Sequence, residues 1–180
     1  METQLIGRFA TSQAWESAAH AIEPGAHLVS DRDGYTHHGI YVGDGLVIHY
    51  GGFHQSSARR PVEYVALRRF SAGRSVRVQV EPDAMYRGTE AVERAKSRLG
   101  EDRYRLLTNN CEHFCTWCVR GAGRSEQVRR CMRNPWLGLR TLLSLGWREP
   151  HRGPSRLRRY ACELSRFITA HWSPWPLARA

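Results

Sequence analysis

Lysine is almost absent. Lys96 is the single one among 27 basic residues, so arginine carries nearly all of the positive charge. The formal net charge of +10 gives a field that draws anionic neighbours: nucleic acid, anionic lipid or an acidic substrate. A nucleic-acid-binding motif is lacking too, so charge alone does not make nucleic acid an expected partner. Long apolar runs are missing. The stretch WLGLRTLLSLGW falls short of the roughly 18–20 residues that a spanning helix needs. The opening METQLIGRFATSQAWESAAH holds no continuous apolar segment, so no secretory signal peptide is expected. Five cysteines, an odd number crowded late in the chain, do not form a secreted disulfide framework, and a reducing cytoplasm is the expected home. Neither an internal repeat nor a low-complexity tract occurs. A length of 180 residues suits one domain with extra structure at an end, and buries an ordinary core without disulfides.

What is present alternates between strand and helix signals. Residues 11–22 read as a short helix capped by Thr11 or Ser12 and closed by Glu23-Pro24-Gly25. His27-Leu28-Val29 reads as a brief strand, and Asp31-Arg32-Asp33-Gly34 as a turn. YTHHGIYVGDGLVIHYGG is the clearest hairpin, with two apolar-aromatic runs flanking Gly43-Asp44-Gly45. After a turn at SSARRP, strands are expected over Val62–Arg68 and from Val76 to Val80, and Glu81-Pro82-Asp83 breaks the second. TEAVERAKSRL reads as a helix with Thr89 as cap and Gly100 at its end. A shorter helix is expected from Ser125, and Asn134-Pro135 marks a domain edge. Beyond the HRGPS linker, residues 156–171 place Leu157, Tyr160, Ala161, Leu164, Phe167 and Ile168 on one helical face with arginines beside it.

The chain is organised around YRLLTNNCEHFCTWCVRG. Asn109 or Asn110 is suited to cap a helix, which puts Cys111 in the first turn. There the dipole and the unpaired N–H groups favour a thiolate, so Cys111 is a candidate nucleophile with a depressed pKa. Such a cysteine needs a base and something to orient the base. With the hairpin centred on Asp44, position 37 pairs near 51, so His37 and His49 share one sheet face while His38 points to the other. Cys111, His113, Cys115 and Cys118 also contain a C-x-x-C that suits zinc. Positions 115 and 118, however, continue a helix carrying Phe114 and Trp117 and read as core, so no metal or other cofactor is expected.

YTHHGIYVGDGLVIHY together with NNCEHFCTWCVRG resembles the lecithin:retinol acyltransferase (LRAT) family, with its NC-domain and phospholipase/acyltransferase relatives. The shared marks are a His before a G-I-Y-V-G strand, a second His twelve residues on, and the downstream N-C-E-H-F. The resemblance covers roughly residues 24–130. It implies an α+β fold of circularly permuted papain-like type, a small antiparallel sheet packed on the cysteine helix. It further implies Cys111 as nucleophile, His37 as general base and acid, and His49 as the orienting residue. The chain departs from the family at His38, where relatives often carry Trp. It departs again in the tail, which Arg140, Gly146 and the HRGPS linker interrupt where membrane-bound vertebrate members have a spanning anchor.

Three parts are therefore expected: an N-terminal helical extension (1–23), a catalytic domain (24–135) and an Arg-rich amphipathic helical tail (136–180). The expected activity is a thiol acyltransferase or phospholipase that forms a thioester on Cys111. By resemblance its donor is a phospholipid or other acyl lipid, and an alcohol, amine or water accepts. Tyr35 would add an oxyanion donor if its strand starts early enough. A cytoplasmic protein peripheral to an anionic membrane, held by residues 136–180, is the expected setting. The alternatives are a thiol peptidase or amidase of permuted papain-like type and a non-catalytic lipid- or protein-binding module.

Overall fold

Strand alternation and turn chemistry give an α+β fold around one antiparallel sheet. A computed structural model describes residues 4–5, 19–52 and 60–134. Most of the helix expected over 11–22 lies outside the described residues, as do 53–59 and the whole tail from 135 with its two expected helical segments. The strands are β1 (Gln4–Leu5), β2 (His27–Arg32), β3 (Tyr35–Gly43), β4 (Leu46–Gly52), β5 (Arg60–Ala66) and β6 (Val76–Val78). The helices are α1 (Leu67–Ser71), α2 (Gly88–Lys96), α3 (Cys111–Arg120) and α4 (Glu126–Arg133). Among the described residues the strand order is β1-β6-β2-β3-β4-β5. The β3–β4 turn takes positive φ at Gly43 (99°), Asp44 (50°) and Gly45 (67°). Glycine adopts that region without steric cost and Asp tolerates it, so this sequence sets the hairpin register.

Alternation sends the apolar side chains of the central strands to two cores. On one face Leu28, Tyr41, Val47 and Val76 pack with Leu67 and Phe70 of α1. On the other, Ile40, Ile48, Tyr50 and Val62 pack with Ala91 and Ala95 of α2 and with Phe114, Cys115 and Cys118 of α3. Phe70 and Phe114 are fully buried, and truncating either to Ala would cost about 3–5 kcal/mol. Gly39 is the gap that lets Phe70 reach the sheet: a Cβ there would stand 2.9 Å from the ring and 2.5 Å from Val47.

Several boundaries differ from expectation. β5 stops at Ala66, and Leu67 and Phe70, three residues apart, turn the next segment into helix α1 to cover the sheet. β2 runs on through Arg32 because β3 pairs with it to Tyr35↔Arg32. β6 ends at Val78. Helix α2 is preceded by Arg87 rather than capped by Thr89, and it closes at Ser97, ahead of Gly100. Ser125 caps α4 as expected, accepting from the Val128 N–H.

Candidate active site

The site forms where β3 and β4 part. Their pairing ends at Gly39↔His49, while β3 stays with β2 to Tyr35↔Arg32 and β4 stays with β5 to Gly52↔Arg60. Tyr41 exchanges hydrogen bonds with Gly25 and Ala26 on the β2 side. By alternation, residues 36 and 38 turn their N–H and C=O groups toward the opened seam. Cys111, first residue of α3, fills it. Its thiol donates to the Thr36 carbonyl at 4.0 Å, and the His38 backbone N–H points at the sulfur. The thiol thus meets backbone groups on either side of His37.

The helix start is built by Asn110, whose side chain accepts the His113 N–H at 3.0 Å. Asn109 is not the cap. Its amide donates to Glu101 (2.9 Å) and the Arg103 carbonyl (3.1 Å) and accepts from Arg98 (3.1 Å), bracing the loop before the helix. Glu112 closes the other side, accepting from the Ser125 hydroxyl (2.5 Å) and the N–H groups of Glu126 (3.1 Å) and Gln127 (3.2 Å). That carboxylate neutralises the start of α4. Gln127 in turn accepts the Thr36 N–H at 2.8 Å, tying α4 to the seam.

His37 and His49 share a sheet face, as hairpin parity requires. His37 Nε2 lies 2.7 Å from His49 Nδ1, and both rings stand against Phe70. His49 Nε2 sits 3.4 Å from Glu63 Oε1 without a hydrogen bond between the two atoms, and Arg60 holds the other oxygen of Glu63 at 2.8 Å. Glu63 escaped the sequence reading. It is the register partner of His49, which only the β4–β5 pairing reveals. Tyr35 begins β3, so the strand starts early enough for alternation to put it on the His37 face.

The expected depression of the thiol pKa is not found. Burial pushes Cys111 up to about 11, and the neighbouring Glu112 charge adds to the rise. The N–H groups of His38, Glu112 and Cys111 itself oppose this without overcoming it. Desolvation outweighs the helix start, so the resting thiol is neutral. Cys115 and Cys118 are buried core residues, and burial raises both, Cys118 to about 12.

His38 points to the opposite face, where it meets residues that the sequence did not single out. Its Nδ1 lies 2.9 Å from His27 Nε2, and His27 Nδ1 lies 2.8 Å from Glu81. Arg120 pairs with the second Glu81 oxygen through Nε at 2.6 Å. At the other end, His38 Nε2 lies 2.8 Å from the Thr36 hydroxyl. In the sequence, Glu81 reads only as part of a strand breaker.

Comparison with known proteins adds the following. Residues 20–124 match the family described as lecithin retinol acyltransferase. The chain is 32% identical over 124 residues to human phospholipase A and acyltransferase 1, covering 61% of this chain and 74% of that protein. It is 29% identical over 160 residues to rat lecithin retinol acyltransferase, covering 66% and 69%. With human phospholipase A and acyltransferase 2 it shares 34% over 113 residues, covering 54% and 70%.

Proposed function

The chain belongs to the lecithin retinol acyltransferase family, and from that premise we propose that it is a cysteine-dependent lipid acyltransferase or phospholipase, with residues 24–135 as its catalytic domain. The names of its relatives support a lipid donor over a peptide. The observation that carries the chemistry is the lodging of the Cys111 thiol between Thr36 and His38, beside the His37–His49–Glu63 array. A permuted papain-like arrangement fits this order, with histidine strands before the cysteine helix.

The Glu63 carboxylate biases the tautomers by its charge across 3.4 Å rather than by a hydrogen bond. It favours a proton on His49 Nε2, which leaves His49 Nδ1 to accept from His37 Nε2–H. The basic nitrogen of His37 is then Nδ1. Because the resting thiol is neutral, proton transfer to His37 accompanies attack rather than preceding it. Sulfur bonds to the acyl carbon, and the oxyanion is held by N–H groups at the start of α3, with Tyr35 as a further donor. The ester carbon–oxygen bond breaks, the leaving oxygen takes the proton from His37, and a thioester remains on Cys111. An alcohol, amine or water then accepts the acyl group.

Among the described residues no helix is long and apolar enough to cross a membrane. We place the enzyme in the cytoplasm at an anionic lipid surface, held there by residues 136–180, where each basic residue near the surface contributes on the order of 1 kcal/mol. Incubation with dioleoylphosphatidylcholine vesicles, followed by intact-protein and peptide mass measurement, tests the chemistry. An oleoyl adduct on Cys111, absent from Cys111→Ser, is expected. Turnover of lipid by the Cys111→Ser protein would sink the thiol mechanism.

A further inference from the structure

Unlike the other described helices, α4 buries none of its side chains fully. Polar bonds at its first turn hold it instead. Ser125, Glu126 and Gln127 donate to the Glu112 carboxylate, and Gln127 accepts the Thr36 N–H. A helix held this way adds little to the core, so its outer face is available to a partner.

That face is a stripe of arginine. Glu126, Arg129, Arg130 and Arg133 recur at i, i+3, i+4 and i+7 and so share one side of the helix, with Arg124 just ahead of them. The side chains of Arg129 and Arg130 are 55% and 71% exposed, and both lean on the single carboxylate of Glu126, at 3.3 and 3.7 Å. Arg124 and Arg133 are exposed and have no carboxylate partner among the described residues. Four arginines are therefore set against one carboxylate. The helix dipole accounts for Arg130 and Arg133 in the last turn, but not for Arg124 or Arg129. Met132 is 39% exposed on the flank of the stripe. Arginines with an apolar neighbour suit a helix that lies on an anionic interface, whereas nucleic acid would use the charge and leave Met132 idle. A cavity of about 450 Å³ lies between α4 and the sheet, lined by His38 and by Arg77, Arg120, Arg124, Arg129 and Arg130 among others. It gives a headgroup phosphate room beside the stripe. The carboxylates in its wall are committed: Glu81 to His27 and Arg120, Glu112 to the start of α4, and Glu126 to Arg129.

We propose that the outer face of α4 is the surface by which the domain docks on anionic phospholipid. The contact belongs to the domain and acts beside that of residues 136–180. Docking by this face brings lipid to the seam, because α4 reaches Thr36 through Gln127 and the Thr36 carbonyl accepts the Cys111 thiol. That consequence, though not the docking, rests on Cys111 being the acylated residue.

Sedimentation of the full chain with vesicles tests the surface. Binding is expected to dioleoylphosphatidylcholine vesicles with about 30% dioleoylphosphatidylserine and not to phosphatidylcholine alone, and it should weaken as salt rises. Arg129→Gln, Arg130→Gln and Arg133→Gln together should weaken it on the order of 100-fold. Arg129→Lys, Arg130→Lys and Arg133→Lys together, which keep the charge, should hold it within about threefold. In the wild-type chain the α4 amides should exchange hydrogen more slowly once anionic vesicles are added, a measurement that depends on no variant folding. Wild-type affinity in the folded triple Gln variant, unchanged α4 exchange in the vesicle-bound chain, or tighter binding to a DNA duplex than to anionic vesicles would overturn the proposal. The thiol chemistry is read separately, by the burst of p-nitrophenol that acylation of Cys111 releases from the soluble ester p-nitrophenyl octanoate. A chain that docks through α4 and shows no burst loses the thiol mechanism and keeps the docking surface.

Discussion

His37 and His38 are neighbours in sequence, yet each heads a separate array on its own side of the sheet. His37 runs through His49 to Glu63 and Arg60, and His38 runs through His27 to Glu81 and Arg120. Both are two imidazoles ended by a carboxylate and an arginine. They differ in burial and in the quality of the last link. Glu81 is almost enclosed, with an 8% exposed side chain 2.8 Å from His27, whereas Glu63 is 21% exposed and 3.4 Å from His49. The His37 array leans on Phe70, the His38 array on a polar cavity. One strand therefore carries two paired imidazoles, one on each side of the sheet, with the tighter carboxylate link on the more enclosed side.

The sharpest way to break this comparison is to remove His37. His37→Gln should abolish the burst with p-nitrophenyl octanoate, slowing acylation by about 100-fold or more, because the neutral thiol then has no base on that side. A surviving burst in His37→Gln would mean that His37 is not the base of acylation.

The carboxylates come next. Glu81→Gln turns an amide toward either Arg120 or His27, so a buried pair loses its charge. About 2–3 kcal/mol of stability should go, a low figure for such a pair because the Arg120 side chain is 32% exposed. Glu63→Gln should cost less than about 1 kcal/mol, since its pair is long and more exposed. Urea unfolding of the two proteins side by side measures the contrast. Equal losses would mean that the two arrays are anchored alike.

Much of the first array was legible and little of the second. Gly43-Asp44-Gly45 sets the register, and register with alternation puts His37 and His49 together without further information. Asn110 and the apolar spacing likewise fix Cys111 at a helix start. The carboxylates were hidden because they depend on partners distant in sequence. Glu63 meets His49 through the β4–β5 pairing, and Glu81 reaches His27 across 54 residues. Helix α1 was hidden for another reason: five residues are too few to show a helical period against an alternating strand. The thiol pKa was misjudged because a helix start is visible in sequence whereas the burial that outweighs it is not.

The smallest expected effect is on the pH dependence of stability, and it isolates His38. Burial, with the nearby His27 and Arg77 charges, holds the His38 pKa well below 6.5. The folded chain thus keeps this ring neutral while the unfolded chain takes up a proton. The stability at stake is fully present above pH 6.5 and is lost as pH falls below it. His113, lowered by burial to about 4, contributes a loss of the same sign over the same range. Urea midpoints at pH 7 and pH 5 should therefore fall in the wild type. In His38→Gln they should fall less, and what slope persists should include the His113 share. An unchanged slope in His38→Gln would mean that this ring does not carry the pH dependence of stability.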